Sequence, residues 1–362
     1  GDRLSRGSFR EGVRSARVPL ISGLPPRTLH LTRSSHVRMR NHILITGGAG
    51  FVGSHLTDRL LKEGRSVTIL DNLSTGRRSN VQQLQAASHG RLRFVEGCAT
   101  DSDLVHRLAS DSDGVVHLAA AVGVRLVVEK PIHTMHTNIG ATEVVLEAAS
   151  AANVPLLYAS TSEVYGKSAT LPFTENADLV LGPTSIARWG YAASKATGEW
   201  MALAYGAERE LDVTIVRLFN TVGPRQRGRY GMVLPNFVRA ALAGETLRVF
   251  GDGQQTRCFA HVRDVTCALG ALLDEPAARG SVFNVGNDQE ISILSLAQRV
   301  IEIAGSDSEI ELVPYAEAYG HGFEDMRRRV PSLAALEAAI GFRPRTGLDE
   351  IVTDLIGVIA AK

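Results

Sequence analysis

Short apolar runs alternate with amphipathic stretches from His42 to Asn220. HILIT, SVTILDN, RLRFVEG, GVVHLAA, VPLLYAS and VTIVRLFN are short, rich in Val, Ile and Leu, and bounded by glycine or polar residues. Runs of this kind suit strands buried on both faces of a parallel sheet. Between them lie helical patterns. Phe51, Val52, Leu56, Leu60 and Leu61 share one helix face, residues 137–152 repeat a helical period, and SKATGEWMALAYGAEREL predicts a long helix. The alternation predicts a doubly wound α/β domain over 41–220. After Asn220 the order loosens. Helical stretches near 233–243, 262–274 and 292–304 alternate with short strands such as TLRVFG and SVFNVG. A smaller α/β lobe over 221–362 is expected, with some later segments returning to the first domain.

Charge changes the picture only at the N-terminus. The net charge of +1 conceals nine arginines against Asp2 and Glu11 in residues 1–40, which leaves +7 there and −6 on the rest. The leader has no compact apolar core of the secretory kind. It reads as a poorly ordered basic segment, and neither a nucleic-acid nor a membrane partner is expected from it. Cys98, Cys258 and Cys267 are too few for a disulfide framework and fit a reducing, cytoplasmic setting. No metal site is expected.

Gly47, Gly50 and Gly53 form GxxGxxG between the first strand pattern and the first helix pattern. Glycines there let the backbone turn tightly and approach a pyrophosphate at the helix N-terminus, which makes the fold Rossmann-type. Asp71 ends the second strand, eighteen residues beyond Gly53. A carboxylate there accepts from ribose hydroxyls and repels a 2′-phosphate, so NAD is favoured over NADP, although Arg77 and Arg78 lie just downstream. Phe51, Val52, Asn72, Leu118, Ala119 and Ala120 fall in the same turns and strand ends.

Tyr191 and Lys195 stand four apart in YAASK, which puts both on one helix face. An ammonium near a phenol favours the phenolate and so makes a base. Thr161, in the polar cluster ASTSEVYG after a strand, is placed to orient a substrate hydroxyl. Ser162 and Glu163 follow it and are expected to join the catalytic set.

Together TGGAGFVGSH, HLAA, STSEVYG, YAASK, FNTVGPRQR and GDGQQTRCFAHVRDV resemble the extended short-chain dehydrogenase/reductase family, in its nucleotide-sugar epimerase, dehydratase and decarboxylase branch. The resemblance spans roughly residues 42–350. It implies a UDP-sugar substrate, oxidised at C4 by bound NAD with Thr161, Tyr191 and Lys195 as the catalytic group. It also implies diphosphate contacts from Asn220 and Arg257, with Arg225 and Arg227 adding charge, and a base-facing segment containing Val249 and Phe250. One position departs from the family pattern: Cys98 stands where an aspartate often meets the adenine. A homodimer through first-domain helices is implied as well, with Met201, Leu203 and Tyr205 as candidates.

The 4-keto sugar has several fates. The family's 4,6-dehydratases carry an Asp-Glu pair where this chain has Ser162-Glu163, and serine is a poor acid. Intact Tyr191 and Lys195 argue against an NAD-binding protein without catalysis. Two readings stay open. The GPRQR loop is similar to that of uronate 4-epimerases, where Arg227 would hold a C6 carboxylate in the ring plane. This favours a 4-epimerase converting UDP-glucuronate to UDP-galacturonate. The Ser-Glu pair and ARWGYAASK are similar to UDP-glucuronate decarboxylases, which give UDP-xylose. In those enzymes the glutamate sits near the sugar and helps handle the ketone.

Overall fold

The apolar runs become a seven-stranded sheet whose strands pair in parallel throughout. A computed structural model of the chain describes residues 41–226, 232–314, 317 and 326–361. The basic leader and Arg227 lie outside them. Strands β1 (His42–Thr46), β2 (Ser66–Asp71), β3 (Leu92–Glu96), β4 (Gly114–His117), β5 (Leu156–Thr161) and β6 (Val213–Leu218) follow the predicted runs. Short strands β7 (Thr221–Val222), β8 (Leu247–Phe250), β9 (Thr256–Cys258) and β10 (Ala260–His261) come next, then β11 (Ser281–Val285), β12 (Glu290–Ser292) and β13 (Ile310–Val313). The main sheet has the order β11-β6-β5-β4-β1-β2-β3. β11, the run SVFNVG, therefore returns to the sheet edge beside β6. The strand order reverses between β1 and β4, and a crevice at the carboxyl ends of such strands is where this architecture binds ligands.

Alternation along β1 shows how both faces are filled. Ile43 and Ile45 join one apolar cluster, with Leu56, Leu60, Leu269 and Leu272, while Leu44 joins the opposite one, with Val105, Leu146 and Val213. Each fully buried aliphatic side chain contributes roughly 1.5–3 kcal/mol relative to exposure. The helix expected over 137–152 starts earlier, at Pro131, where proline's fixed φ suits the first turn. The helix bearing Tyr191 and Lys195 runs Ala187–Arg209.

Beyond the sheet, Leu234, Phe237, Leu247, Val249, Leu296 and Ile351 form a third apolar cluster. One late segment ties the parts of the site together. Val330 accepts from the backbone N–H of Phe173 at 2.8 Å, and Ser332 donates to the Phe173 carbonyl at 2.8 Å. Just before it, Thr256 donates its N–H to the Arg327 carbonyl at 2.9 Å. Residues 327–332 thus form a strap fastened at both ends.

Candidate active site

At the end of β1 the chain must turn under β4. Gly47 does so with φ of +76°, and a Cβ there would sit 2.7 Å from the backbone nitrogen of Ala119. A Cβ at Gly53 would overlap the Gly47 carbonyl oxygen, so the first helix seats directly on the turn. Gly50 caps the helix Phe51–Lys62 without a side-chain hydrogen bond, and no acidic residue stands in its first turn. Its leading N–H groups and dipole therefore face the cavity, ready for an anion. Phe51 and Val52 line the same wall, with Leu118, Ala119 and Ala120 opposite.

Asp71 is buried where β2 ends. It accepts from the N–H groups of Ala49 at 3.0 Å and Leu73 at 2.8 Å. Burial raises its carboxyl above the ordinary range, against the pull of these N–H groups. Each oxygen keeps a further lone-pair direction for a ribose hydroxyl. Asn72 and Cys98 stand beside it at the cavity wall, and Cys98 Sγ accepts from the Thr100 hydroxyl at 3.0 Å. Arg78 turns away to Glu96, while Arg77 lines the cavity. A glycine cradle closed to any Cβ, a bare helix N-terminus and a buried aspartate fit NAD.

Thr161 ends β5, and Tyr191 comes close to it from the helix, both on the cavity wall. Burial drives Tyr191 well above the usual tyrosine range, and the Glu163 charge pushes the same way. The nearby Thr161 hydroxyl and the Arg329 charge oppose this. Lys195 Nζ lies 4.3 Å from the centre of the Tyr158 ring. Burial lowers its ammonium to about 7, with Glu199 acting against that. The same dry surroundings press both the phenol and the ammonium toward neutrality.

A 3-10 turn, Ser162–Tyr165, follows Thr161 and splits its neighbours. Ser162 is a correction. Its side chain points into the protein, it is fully buried and off the cavity wall, and its hydroxyl has no hydrogen-bond partner among the described residues. Successive residues in so tight a turn cannot face one way. Glu163 does face the cavity, between two guanidiniums. Arg329 Nη2 lies 3.4 Å from Oε1, and Arg188 Nε lies 3.8 Å from Oε2. Arg329 also donates to Asn220 Oδ1 at 3.3 Å. Sequence reasoning missed Arg329, because it belongs to the run Arg327–Arg329 and such runs read as solvated. The side chain of Arg327 is 72% exposed, that of Arg329 only 8%.

At the far end, Asn220 donates to the Cys258 carbonyl at 3.2 Å. Arg257 donates to the carbonyls of Thr256 at 2.7 Å and Met326 at 2.8 Å. Arg225, held at φ +66°, donates to the Ser54 carbonyl at 3.0 Å. All three line the cavity, as does Phe250. Val249 is a second correction. It is fully buried in the third apolar cluster, because neighbours along β8 point to opposite faces. The cavity joining these walls measures about 1370 Å³. Single small-molecule sites span roughly 300–1,000 Å³, so this one has room for a dinucleotide and a second nucleotide together.

Residues 43–286 match the model of the NAD dependent epimerase/dehydratase family. The UDP-N-acetyl-alpha-D-glucosaminuronate decarboxylase of Bacillus cytotoxicus is 41% identical over 88% of this chain and 97% of its own length. UDP-glucuronic acid decarboxylase 1 of Xenopus tropicalis is 37% identical over 86% of this chain and 70% of its own. The dTDP-glucose 4,6-dehydratase DesIV of Streptomyces venezuelae, solved with NAD bound, superposes with a TM-score of 0.79 at 30% identity, covering 88% of this chain and 97% of that one. The decarboxylase relatives overturn the 4-epimerase expectation. That reading leaned on GPRQR, a five-residue motif, whereas the relatives match along nearly the whole chain.

Proposed function

The chain belongs to the NAD-dependent epimerase/dehydratase family, and from that premise we propose that it decarboxylates a UDP-linked uronic acid through a 4-keto sugar. The Gly47–Gly53 turn and Asp71 would hold NAD, which would supply hydride acceptance at C4 of the sugar and hydride return to the ketone. Tyr191 takes the proton from the C4 hydroxyl, and Thr161 orients that hydroxyl. The resulting ketone is β to the C6 carboxylate. When the C5–C6 bond breaks, CO2 leaves and its electron pair flows into the C4 carbonyl. The hydroxyls of Thr161 and Tyr191 stabilise the enolate oxygen, a proton is regained at C5, and the pentose ketone is then reduced.

The observation that carries this reading is Glu163 set between Arg188 and Arg329 on the cavity wall. Guanidiniums on the cavity wall suit a carboxylate on the sugar, which they can bind with charge-assisted hydrogen bonds. Elements after Asn220 would anchor the UDP through Asn220 and Arg257. A homodimer would form through the helices Pro131–Ala151 and Ala187–Arg209, where Ile132 is 75% exposed and Trp200 63%. Leu203 is partly open there, but Met201 and Tyr205 pack inward. No described helix is long and apolar enough to cross a membrane.

Incubation with UDP-glucuronate and with UDP-N-acetylglucosaminuronate, resolved by mass, tests the proposal. The two relatives differ in the group at C2, so both sugars are assayed. Loss of the mass of CO2 from either supports it. A new isomer of unchanged mass, with no pentose formed, overturns it.

A further inference from the structure

Glu163 and Arg329 meet on the cavity wall, yet both ride on short connecting segments. Glu163 sits in the turn Ser162–Tyr165, and Arg329 in the strap 327–332. One side chain far from the cavity ties the two segments together. Asn284, on the edge strand β11, is fully buried. Its Oδ1 accepts from the Tyr165 hydroxyl at 2.7 Å. Its Nδ2 donates to the Phe173 carbonyl at 2.9 Å and to the Ser332 carbonyl at 3.3 Å. Tyr165 lies two residues past Glu163, and Ser332 three past Arg329. Phe173 joins the same knot. Its backbone bonds to Val330 and Ser332, and its ring stacks on Tyr165 with centres 4.5 Å apart.

We propose that Asn284 is a positioning residue for the Glu163–Arg329 pair, the common anchor that sets the two carrier segments at a fixed separation. A carboxamide suits this task, because it presents an acceptor and two N–H donors on one rigid plane. Here the acceptor meets a hydroxyl and the N–H groups meet two carbonyls, so the amide has one workable orientation. The backbone beneath it is fixed on both sides. Asn284 pairs in register with Arg217 on β6, and its own N–H donates to Glu175 Oε1 at 2.8 Å. Arg217 in turn donates to the Glu175 carbonyl at 3.0 Å and lies 4.8 Å from the centre of the Tyr165 ring. The Glu163–Arg329 contact, at 3.4 Å, is at the outer edge of hydrogen-bond range. A shift of either carrier by about 1 Å breaks it, and misplacements of that size cost up to roughly 10²-fold in rate.

This role rests on the uronate reading of the site, so the first measurement avoids the sugar. Asn284→Leu keeps a similar side-chain size and removes all three side-chain bonds. Hydrogen exchange is read by mass on peptides of the full chain. Exchange should quicken in peptides covering 162–166, 171–175 and 327–333, while β1 and β4 stay as slow as in the wild type. Faster exchange everywhere, or no change in those three peptides, overturns the proposal. If Asn284→Leu does not fold, Tyr165→Phe keeps the ring stack, drops one tie and carries the same expectation for 162–166. The second measurement is a double-mutant cycle with Arg329→Met, on UDP-glucuronate or UDP-N-acetylglucosaminuronate, whichever turns over. Asn284→Leu should lower kcat/KM about tenfold in the wild-type chain and by about twofold at most once Arg329 is gone. A residue serving the fold alone would cost the same in both backgrounds, and that result overturns the proposal. A wild-type protein that decarboxylates neither sugar overturns the uronate reading instead, and hydrogen exchange then decides the anchor by itself.

Discussion

Arg329 Nη2 reaches to 3.4 Å from Glu163 Oε1 across 166 positions of sequence, and its other terminal nitrogen holds Asn220. One buried guanidinium thus touches the strand-end cluster and the substrate side at once. Arg329→Met leaves Glu163 with Arg188 alone. Losing a charge-assisted contact beside the sugar, worth roughly 1.5–3 kcal/mol, should lower both kcat and kcat/KM by roughly 10–10²-fold. Steady-state kinetics on UDP-uronate check this. A variant with wild-type kcat would show that the contact is incidental.

Tyr191→Phe keeps the ring in place and removes the proton acceptor. Turnover should drop by about 10²–10⁴-fold. Bound NAD, measured after denaturing the purified protein, should remain at the wild-type ratio. Loss of both would mean that the variant has damaged the cradle and not the chemistry.

Gly53→Ala puts a methyl group into the space of the Gly47 carbonyl, so the first helix must move off the turn. The expected outcome is a folded protein that retains little NAD. Calorimetric titration with NAD reads this directly, and wild-type affinity would contradict it.

One buried histidine, His117, and one half-buried histidine, His55, make stability depend on acid. Burial lowers His55 to about 4 and His117 to about 3, from an ordinary 6.5. Both stay neutral in the folded state, while the unfolded chain takes up protons below 6.5. Stability is therefore fully present above pH 6.5 and falls as pH drops toward 4, by about 1.4 kcal/mol per histidine per unit. Denaturant midpoints at pH 7 and pH 4.5 should differ, and His117→Gln should narrow the gap. A variant with the full wild-type gap would remove His117 from the account.

Local order was readable along the chain because it is periodic. Ile43, Leu44 and Ile45 announce a strand buried on both faces, and Tyr191 with Lys195 meets on one helix face through spacing alone. The glycine cradle was legible for the same reason, since its turn, helix start and Asp71 fall within one strand–helix–strand unit. Contacts between distant segments leave no such trace. Nothing near Glu163 points to Arg329, and nothing in Arg327–Arg329 marks which of the three turns inward. Ser162 and Val249 were misplaced because a motif names neighbours without saying which way each faces. The choice between epimerase and decarboxylase failed on similar ground, through weight given to one short loop.

The strap of residues 327–332 also sets an order of events in synthesis. A ribosome completes the glycine cradle, Asp71 and the Tyr191–Lys195 helix long before it delivers Arg329. Until then Phe173 lacks the Val330 and Ser332 backbone partners that fasten its loop. A nascent or prematurely ended chain can thus present a cofactor cradle with its sugar side unfinished. Competence for turnover arrives late, only once Arg329 has been delivered to Glu163 and Asn220.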